Sequence, residues 1–294
     1  MRRQTQGDHK EDVMPARSNP TARQARLGAE LRKLREAAGV TNREAAGFLS
    51  ASPTQISHIE SGRFGIGEER LRRLAEFYDC DDVQLVDVLV EMASERDKGW
   101  WQEYRGVLRP KALDLAELEQ HSSYIRTFQS MNIPGLLQTE DHMRAASIFA
   151  NPKLSESDRA THVSFRMRRQ ELLDSGKPFN AIIHEAALRM RVGGPKVTRA
   201  QLEHLLTAPD RDSVTIRVIP FAADGFAGAG YPMQYVGGPV PQLDTVQTDT
   251  GHGAMFVDAS AQVHRYRARL ERADSAALPQ DASLDLIRRI AQEL

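Results

Sequence analysis

Between Thr41 and Gly62 the chain reads TNREAAGFLSASPTQISHIESG, two short helical patterns joined by a three-residue turn, each opened by its own capping box. Thr41 with Glu44 forms the first box and Ser52 with Gln55 the second; the hydroxyl accepts from the backbone three residues on, and the longer side chain returns to the cap. Pro53 follows Ser52 at the first helical position, where a missing N–H removes no helical bond. Ala45, Ala46 and Leu49 in the first pattern, and Ile56 and Ile59 in the second, are apolar stripes too narrow to hold isolated helices. They need a third surface. Leu27, Leu31, Leu34 and Ala38 supply it at helical spacing before Gly39, a residue favoured just past a helix end. The segment is expected to fold as a compact helix-turn-helix unit.

With the stripes turned inward, Pro53, Thr54, Gln55, Ser57 and His58 remain on the outside of the second motif helix. Their hydroxyl, amide and imidazole groups can meet base edges or phosphate oxygens, and Gln can pair with adenine through two bonds, so these five are the candidate base-contacting residues. The helix carries no Lys or Arg, so paired reading of guanine from it is not expected. Asn42, Arg43 and Arg63, at the edges of the motif, are the candidate phosphate contacts. The whole chain is nearly neutral, with 39 basic against 40 acidic residues. Residues 1–75, however, hold fourteen basic against nine acidic side chains, and residues 76–98 then carry eight acidic ones. That asymmetry would turn the acidic end away from a polyanion, and double-stranded DNA is the expected partner.

The stretch LRKLREAAGVTNREAAGFLSASPTQISHIESGR resembles the repressor-like helix-turn-helix family, the XRE or phage-repressor type, through residues that include Leu31, Leu34, Gly39, Thr41, Ala46, Leu49, Ser52, Ile56 and Gly62. The resemblance implies that the residue at Asn42's place holds a phosphate and that Pro53, Thr54, Ser57 and His58 face the bases. It also implies a buried structural ion pair between Arg35 and Glu60. Ala45 stands where the family usually has Leu, Ser50 where it usually has Gly, and Pro53 where a polar base reader is frequent.

At 294 residues with 40% hydrophobic side chains, the chain is long enough for two domains. Residues 1–22 lack periodicity and read as a disordered tail. A helical DNA-binding domain over 23–98 closes with LRRLAEFYDC and VQLVDVLVEM. Beyond it, 99–294 mixes candidate strands (121–128, 179–184, 214–220, 231–236, 243–248, 254–257) with helical patterns (139–150, 155–175, 197–208, 259–273, 281–293). The fold class expected is therefore an all-α helix-turn-helix domain followed by an α+β domain. The single cysteine, Cys80, excludes an internal disulfide framework. No apolar run approaches the roughly 20 residues needed to span a bilayer, and the N-terminus lacks an apolar signal segment, so a cytoplasmic, nucleoid-associated protein is expected.

WWQEY, NIPGLLQTEDHMRA, FRMRRQELL, IIHEAALRMRVGG, QLEHLL and VTIRVIPF follow one another in the order seen in DUF5753, an uncharacterised domain that follows repressor-type domains in actinobacterial regulators. The resemblance spans about residues 99–294. It implies a regulator, often encoded beside a small partner protein.

No catalytic constellation stands out in this half. His184-Glu185 lacks a second His at metalloprotease spacing, GFAGAG at 225–230 leads into a strand and not into the helix a phosphate cradle requires, and there is no G-x-S-x-G elbow. Arg166, Arg168, Arg169, Arg189 and Arg191 offer either an anion or partner patch or solvated helix faces. Trp100, Trp101 and Tyr104 offer either packing at the domain join or a partner surface. The sequence as a whole reads as a sequence-specific transcriptional regulator, homodimeric, without cofactor, metal or catalytic residues, whose second domain mediates oligomerisation or senses a partner or ligand. Two other readings stay open: an interaction component of a toxin–antitoxin-like pair, and an enzyme fused to a DNA-binding domain.

Overall fold

A computed structural model describes residues 20–95, 99–224, 226, 232–250 and 253–294. Two compact units divide the chain between Asp97 and Lys98.

The first unit consists of α1 (Ala22–Ala37), α2 (Asn42–Phe48), α3 (Pro53–Glu60), α4 (Glu68–Phe77) and α5 (Val83–Ser94). Their starts are fixed locally. Thr21 with Gln24, Thr41 with Glu44, and Ser52 with Gln55 form complete capping boxes, and Asp82 Oδ1 accepts from the Leu85 N–H at 2.9 Å to open α5. The cap at Thr21 starts α1 within the stretch expected to be a tail, whose residues 1–19 lie outside the described residues. Gly39, at φ +68°, ends α1. The buried face of that helix differs from the expected stripe. Leu27, Gly28 and Leu31 are buried, Leu34 is half-buried and Ala38 is exposed, while Arg35 occupies the buried position one turn after Leu31. A guanidinium can stay there because it is fully paired, as described below.

Gly28 marks the crossing of α1 and α3: a Cβ there would lie 2.6 Å from the carbonyl oxygens of both Ile59 and Glu60. Leu31, Ala45, Ile56, Leu71 and Leu89 are each almost entirely shielded from solvent and fill the centre.

The second unit is α+β, as the alternating patterns implied. After a 3-10 turn at Trp100–Tyr104 come α6 (Pro110–Gln120), β1 (Tyr124–Gln129), α7 (Glu140–Ala150), α8 (Glu156–Gln170), β2 (Phe179–His184), α9 (Glu185–Arg189), α10 (Pro195–Thr207) and β3 (Val214–Ile219). β4 (Met233–Gly237), β5 (Thr245–Thr250), β6 (Gly253–Val257), α11 (Ser260–Ala276) and α12 (Gln280–Gln292) complete it. α6 and α9 were not among the expected helices, and the pattern over 155–175 breaks into α8 and a 3-10 turn. The sheet runs β3-β2-β1-β4-β5-β6, parallel across β3, β2 and β1 and antiparallel from β1 to β6. On one face Phe179, Ala181, Ile183, Val214, Ile216 and Val218 pack against α10 and α12. On the other Phe128, Ile182, Tyr235 and Val246 meet Val263 and Leu270 of α11.

Trp100, Trp101 and Tyr104 cluster with Leu108, Leu113, Ala116 and Phe165, all within the second unit. The aromatics that suggested a join between domains are thus part of the packing of this unit. The physical reason is that the 3-10 turn carrying them is followed at once by α6, whose inner face they cover.

Candidate nucleic-acid interface

α2 and α3 are short, and a polar contact from the first residue of α2 to the middle of α3 adds to the apolar packing beneath. Asn42 Nδ2 donates to Ser57 Oγ at 3.2 Å, and Ser57 Oγ in turn donates to the Pro53 carbonyl at 3.1 Å. Beneath them Ala45, Ala46, Ile56 and Ile59 are buried. The outer surface of α3 then consists of Pro53, Thr54 and Ser57, which are exposed, with Gln55 and His58 half-buried beside them.

Three of the five candidate base-contacting residues have prior commitments, Ser57 through the two bonds just given. Gln55 Oε1 accepts the Ser52 N–H at 2.9 Å, which closes the capping box. Two-bond pairing with adenine needs that oxygen and would open the helix start, so Gln55 is left with its amide nitrogen. The His58 ring meets Phe64 edge-on at 4.7 Å, and its Nδ1 is buried without a hydrogen-bond partner. Contact with a ligand therefore falls to Nε2. Arg43 and Arg63 are exposed and Asn42 is half-buried, flanking α3 from the start of α2 and from the turn after α3.

Beneath the interface Arg35 ties α1 to the end of α3. Its Nε donates to Glu60 Oε1 at 2.6 Å, its Nη2 to Oε2 at 3.1 Å, and its Nη1 to the Val40 carbonyl at 2.9 Å. The fork is thus matched on both edges, and the hydrogen bonds to Glu60 raise the Arg35 pKa further above its already high value. Burial, with the Glu60 carboxylate adding to it, pushes the Tyr78 hydroxyl up to about 12. Gly62, at φ +73°, ends this corner where a Cβ would lie 2.6 Å from the Gln24 carbonyl oxygen, so the turn after α3 admits only glycine without a shift of α1.

Residues 26–88, which span these helices, match the model of a helix-turn-helix domain family, HTH_31. That match supports a DNA-binding regulator. Residues 112–289, more than half of the 294-residue chain, match the model described as a domain of unknown function, DUF5753. The chain belongs to the DUF5753 family. It matches no curated protein and no solved structure.

In the DUF5753 domain the candidate groups separate. His184 Nδ1 accepts from the Ala186 N–H at 3.3 Å and so caps α9, while Glu185 accepts from Arg189 Nε at 2.7 Å and from the Phe221 N–H at 2.8 Å. Both have structural partners. Among the described residues no group of three or more His, Cys, Asp or Glu side chains could hold a metal ion, and no helix is long and apolar enough to cross a membrane. Most of the glycine-rich segment 225–230 lies outside the described residues.

The five arginines do not form one patch. Arg168 grips Glu103 and covers the Trp100 ring at 5.0 Å, and Arg189 bridges Glu185 and Glu293. Arg169 grips the buried Glu119 through bonds of 2.8 and 2.6 Å, and Glu119 also accepts from Gln234 Nε2 at 2.8 Å. That buried carboxylate, a cross-brace between α6, α8 and β4, went unnoticed in the sequence because Glu119 lies on a helix the pattern did not show.

Proposed function

We propose that the chain is a sequence-specific DNA-binding transcriptional regulator that lays α3 in the major groove. The outer face of α3 carries this reading, since it presents hydrogen-bonding side chains on a helix anchored from below by Ile56, Ile59 and the Arg35–Glu60 pair. Thr54, Ser57 and His58 meet base edges, Pro53 offers an apolar contact suited to a thymine methyl, and Gln55 contributes through its amide nitrogen. Asn42, Arg43 and Arg63 hold phosphates on either side. The protein acts in the cytoplasm, at the nucleoid, as a homodimer on half-sites about one helical turn apart. The DUF5753 domain serves oligomerisation and senses a ligand or partner.

Chromatin pull-down sequencing supplies the operator, and gel-shift titration then compares the wild type with the triple variant Thr54→Ala, Ser57→Ala, His58→Ala. The expected loss is about 1–3 kcal/mol for each good base contact removed, with the far-UV dichroism unchanged. Arg63→Ala should weaken all sequences alike and lower the salt slope by about one. A triple variant that binds the operator as tightly as the wild type would show that α3 is not the reading helix.

A further inference from the structure

Most polar side chains on the outer face of α3 have a single hydrogen-bonding sense left once their bonds within the protein are counted. Gln55 Oε1 accepts the Ser52 N–H at 2.9 Å. Because that partner is a donor, the amide cannot turn over without losing the bond. The free end is therefore Nε2, which carries hydrogens and no lone pair. Nε2 of Gln55 and Nε2 of His58 have no hydrogen-bond partner among the described residues, and neither is sealed from solvent.

His58 is fixed in the same sense by its other nitrogen. The Arg63 and Phe64 N–H groups both donate to the His58 carbonyl, at 2.8 and 3.1 Å, and the Phe64 ring lies edge-on to the imidazole at 4.7 Å. Nδ1 is buried there without a partner. An imidazole with its proton on Nδ1 would bury an N–H that has no acceptor, whereas one with the proton on Nε2 buries only a lone pair. The second tautomer is the less unfavourable, and it makes the accessible Nε2 a donor. Ser57 has the opposite sense. Its hydrogen goes to the Pro53 carbonyl at 3.1 Å and its oxygen accepts from Asn42 Nδ2 at 3.2 Å, so what the hydroxyl has left is a lone pair. Thr54 Oγ1, exposed and without a bond among the described residues, can turn either way.

At about 100° per residue the outer positions follow one another around α3 as Pro53, Ser57, Thr54, His58 and Gln55. The face thus has an acceptor side at Ser57 and a donor side at His58 and Gln55, which are three residues apart and so neighbours on the helix surface. In the major groove guanine shows two acceptors, N7 and O6, while adenine shows an acceptor beside a donor, cytosine a donor, and thymine an acceptor beside a methyl group. Two neighbouring donors match guanine alone. We propose that α3 selects a half-site with a guanine opposite His58 and Gln55 and an amino group, adenine N6 or cytosine N4, opposite Ser57. Lacking Lys and Arg, α3 has no single side chain to fork onto guanine, and two side chains serve instead. The proposal rests on the reading of α3 as the recognition helix and names the bases it reads.

Selection from a random-sequence duplex pool with the full chain gives the preferred half-site, and gel-shift titration of substituted duplexes tests it. Gln55→Glu is the decisive variant. Glutamate closes a capping box as glutamine does, so α3 keeps its start while the free amide nitrogen becomes an oxygen. The wild type should select guanine at a position that Gln55→Glu moves to cytosine, with affinity for the original duplex down about tenfold. Replacing that guanine by 7-deazaguanine, which lacks the N7 acceptor, should weaken wild-type binding about fivefold and should not weaken the double variant Gln55→Glu, His58→Ala. Ser57→Ala should relax the choice at a second position, one that holds adenine or cytosine in the wild type. If Gln55→Glu loses the far-UV dichroism of the wild type, His58→Ala with the 7-deazaguanine duplex decides. A position shifted by Gln55→Glu that is adenine in the wild type, or indifference of the wild type to 7-deazaguanine, overturns the assigned polarity and leaves α3 the reader. Unchanged selection and affinity in Gln55→Glu and in the triple variant at Thr54, Ser57 and His58 removes both readings.

Discussion

The two units of this chain place polarity in opposite ways. In the first, the interior is built from small and branched apolar residues, and the charges that enter it are paired, Arg35 with Glu60 and Arg26 with Glu30. In the second, polar groups go inside: Glu119, Thr127, Gln138, Gln234 and Gln247 are all buried. A rigid apolar interior with a polar exterior suits recognition of a large partner from outside. A polar interior instead ties layers together through directional bonds, as Glu119 does between α6, α8 and β4.

Each unit nonetheless carries an interior Arg–Glu brace between elements, Arg35–Glu60 between α1 and α3 and Arg169–Glu119 between α8 and α6, and removing its carboxylate gives the largest effects expected. Side-chain exposures of 11% and 8% for Arg35 and Glu60, and of 11% and 2% for Arg169 and Glu119, make both pairs buried enough that losing the carboxylate leaves the guanidinium short of its two-bond partner. Glu60→Ala and Glu119→Ala should each cost about 3–5 kcal/mol. Glu60→Ala should appear in the hydrogen exchange of α1–α5 amides and Glu119→Ala in the tryptophan melt, since both tryptophans, Trp100 and Trp101, lie in the second unit. If either change registers equally in both reporters, the two units are not separate in stability and the comparison fails.

Gly28→Ala probes the apolar side of the comparison. The added methyl would meet the backbone oxygens of Ile59 and Glu60 at 2.6 Å, and backbone cannot rotate away as a side chain can. The cost expected is about 1–3 kcal/mol through separation of α1 from α3. Amide exchange in α1 and α3 should rise while the tryptophan melt holds. An unchanged exchange pattern would mean that this helix crossing has slack.

How much of this was legible in the sequence follows from how local each signal is. The capping boxes at Thr41 and Ser52 use residues three apart, so their spacing alone announced α2 and α3. The strands stood out through alternation such as Val214, Ile216 and Val218. The polar interlayer was not legible, because alternation assigns a Gln such as Gln247 to the solvent side, whereas both sides of β5 are covered at its start. α6, which opens at Pro110, and α9, only five residues long, carry too little periodicity to be seen. At the interface the sequence could not rank two uses of one side chain. Gln55 fits both a capping box and adenine pairing, and the structure assigns its oxygen to the first.

Acid should separate the units further. His142, His162, His184 and His204, all in the second unit, have pKa values below the ordinary imidazole value, chiefly because burial disfavours their charged form. Arg166 adds to this for His142 and His162, and Arg211 for His204, while Glu185 opposes it for His184. Each therefore takes up a proton more readily in the unfolded chain. Stability should be lost as the pH falls through the unfolded value of about 6.5 and on toward the lower folded values. The tryptophan midpoint should drop steadily between about pH 7 and 5. His142, with Nδ1 buried and unpartnered, should contribute, so His142→Gln should flatten that slope. A midpoint independent of pH over this range would contradict the burial of these rings.

The smallest effect expected tests where backbone strain is kept. Among the described residues the non-glycine positions with positive φ are Ser50 (51°) and Asp79 (54°), both in the first unit, while in the second the positive-φ positions are all glycine. Ser50 follows the end of α2, is exposed, and its N–H donates to the Gly47 carbonyl at 3.2 Å. An L-residue in the left-handed region costs about 1–2 kcal/mol, and glycine returns part of that gain through its greater freedom in the unfolded chain. Ser50→Gly should therefore stabilise the first unit by roughly 0.5–1 kcal/mol, about 2–8 °C for a domain of this size. Ser50→Ala keeps the Cβ and should change little. Equal melting of the two variants would mean that the turn between α2 and α3 holds no strain, and that its serine acts through its hydroxyl instead.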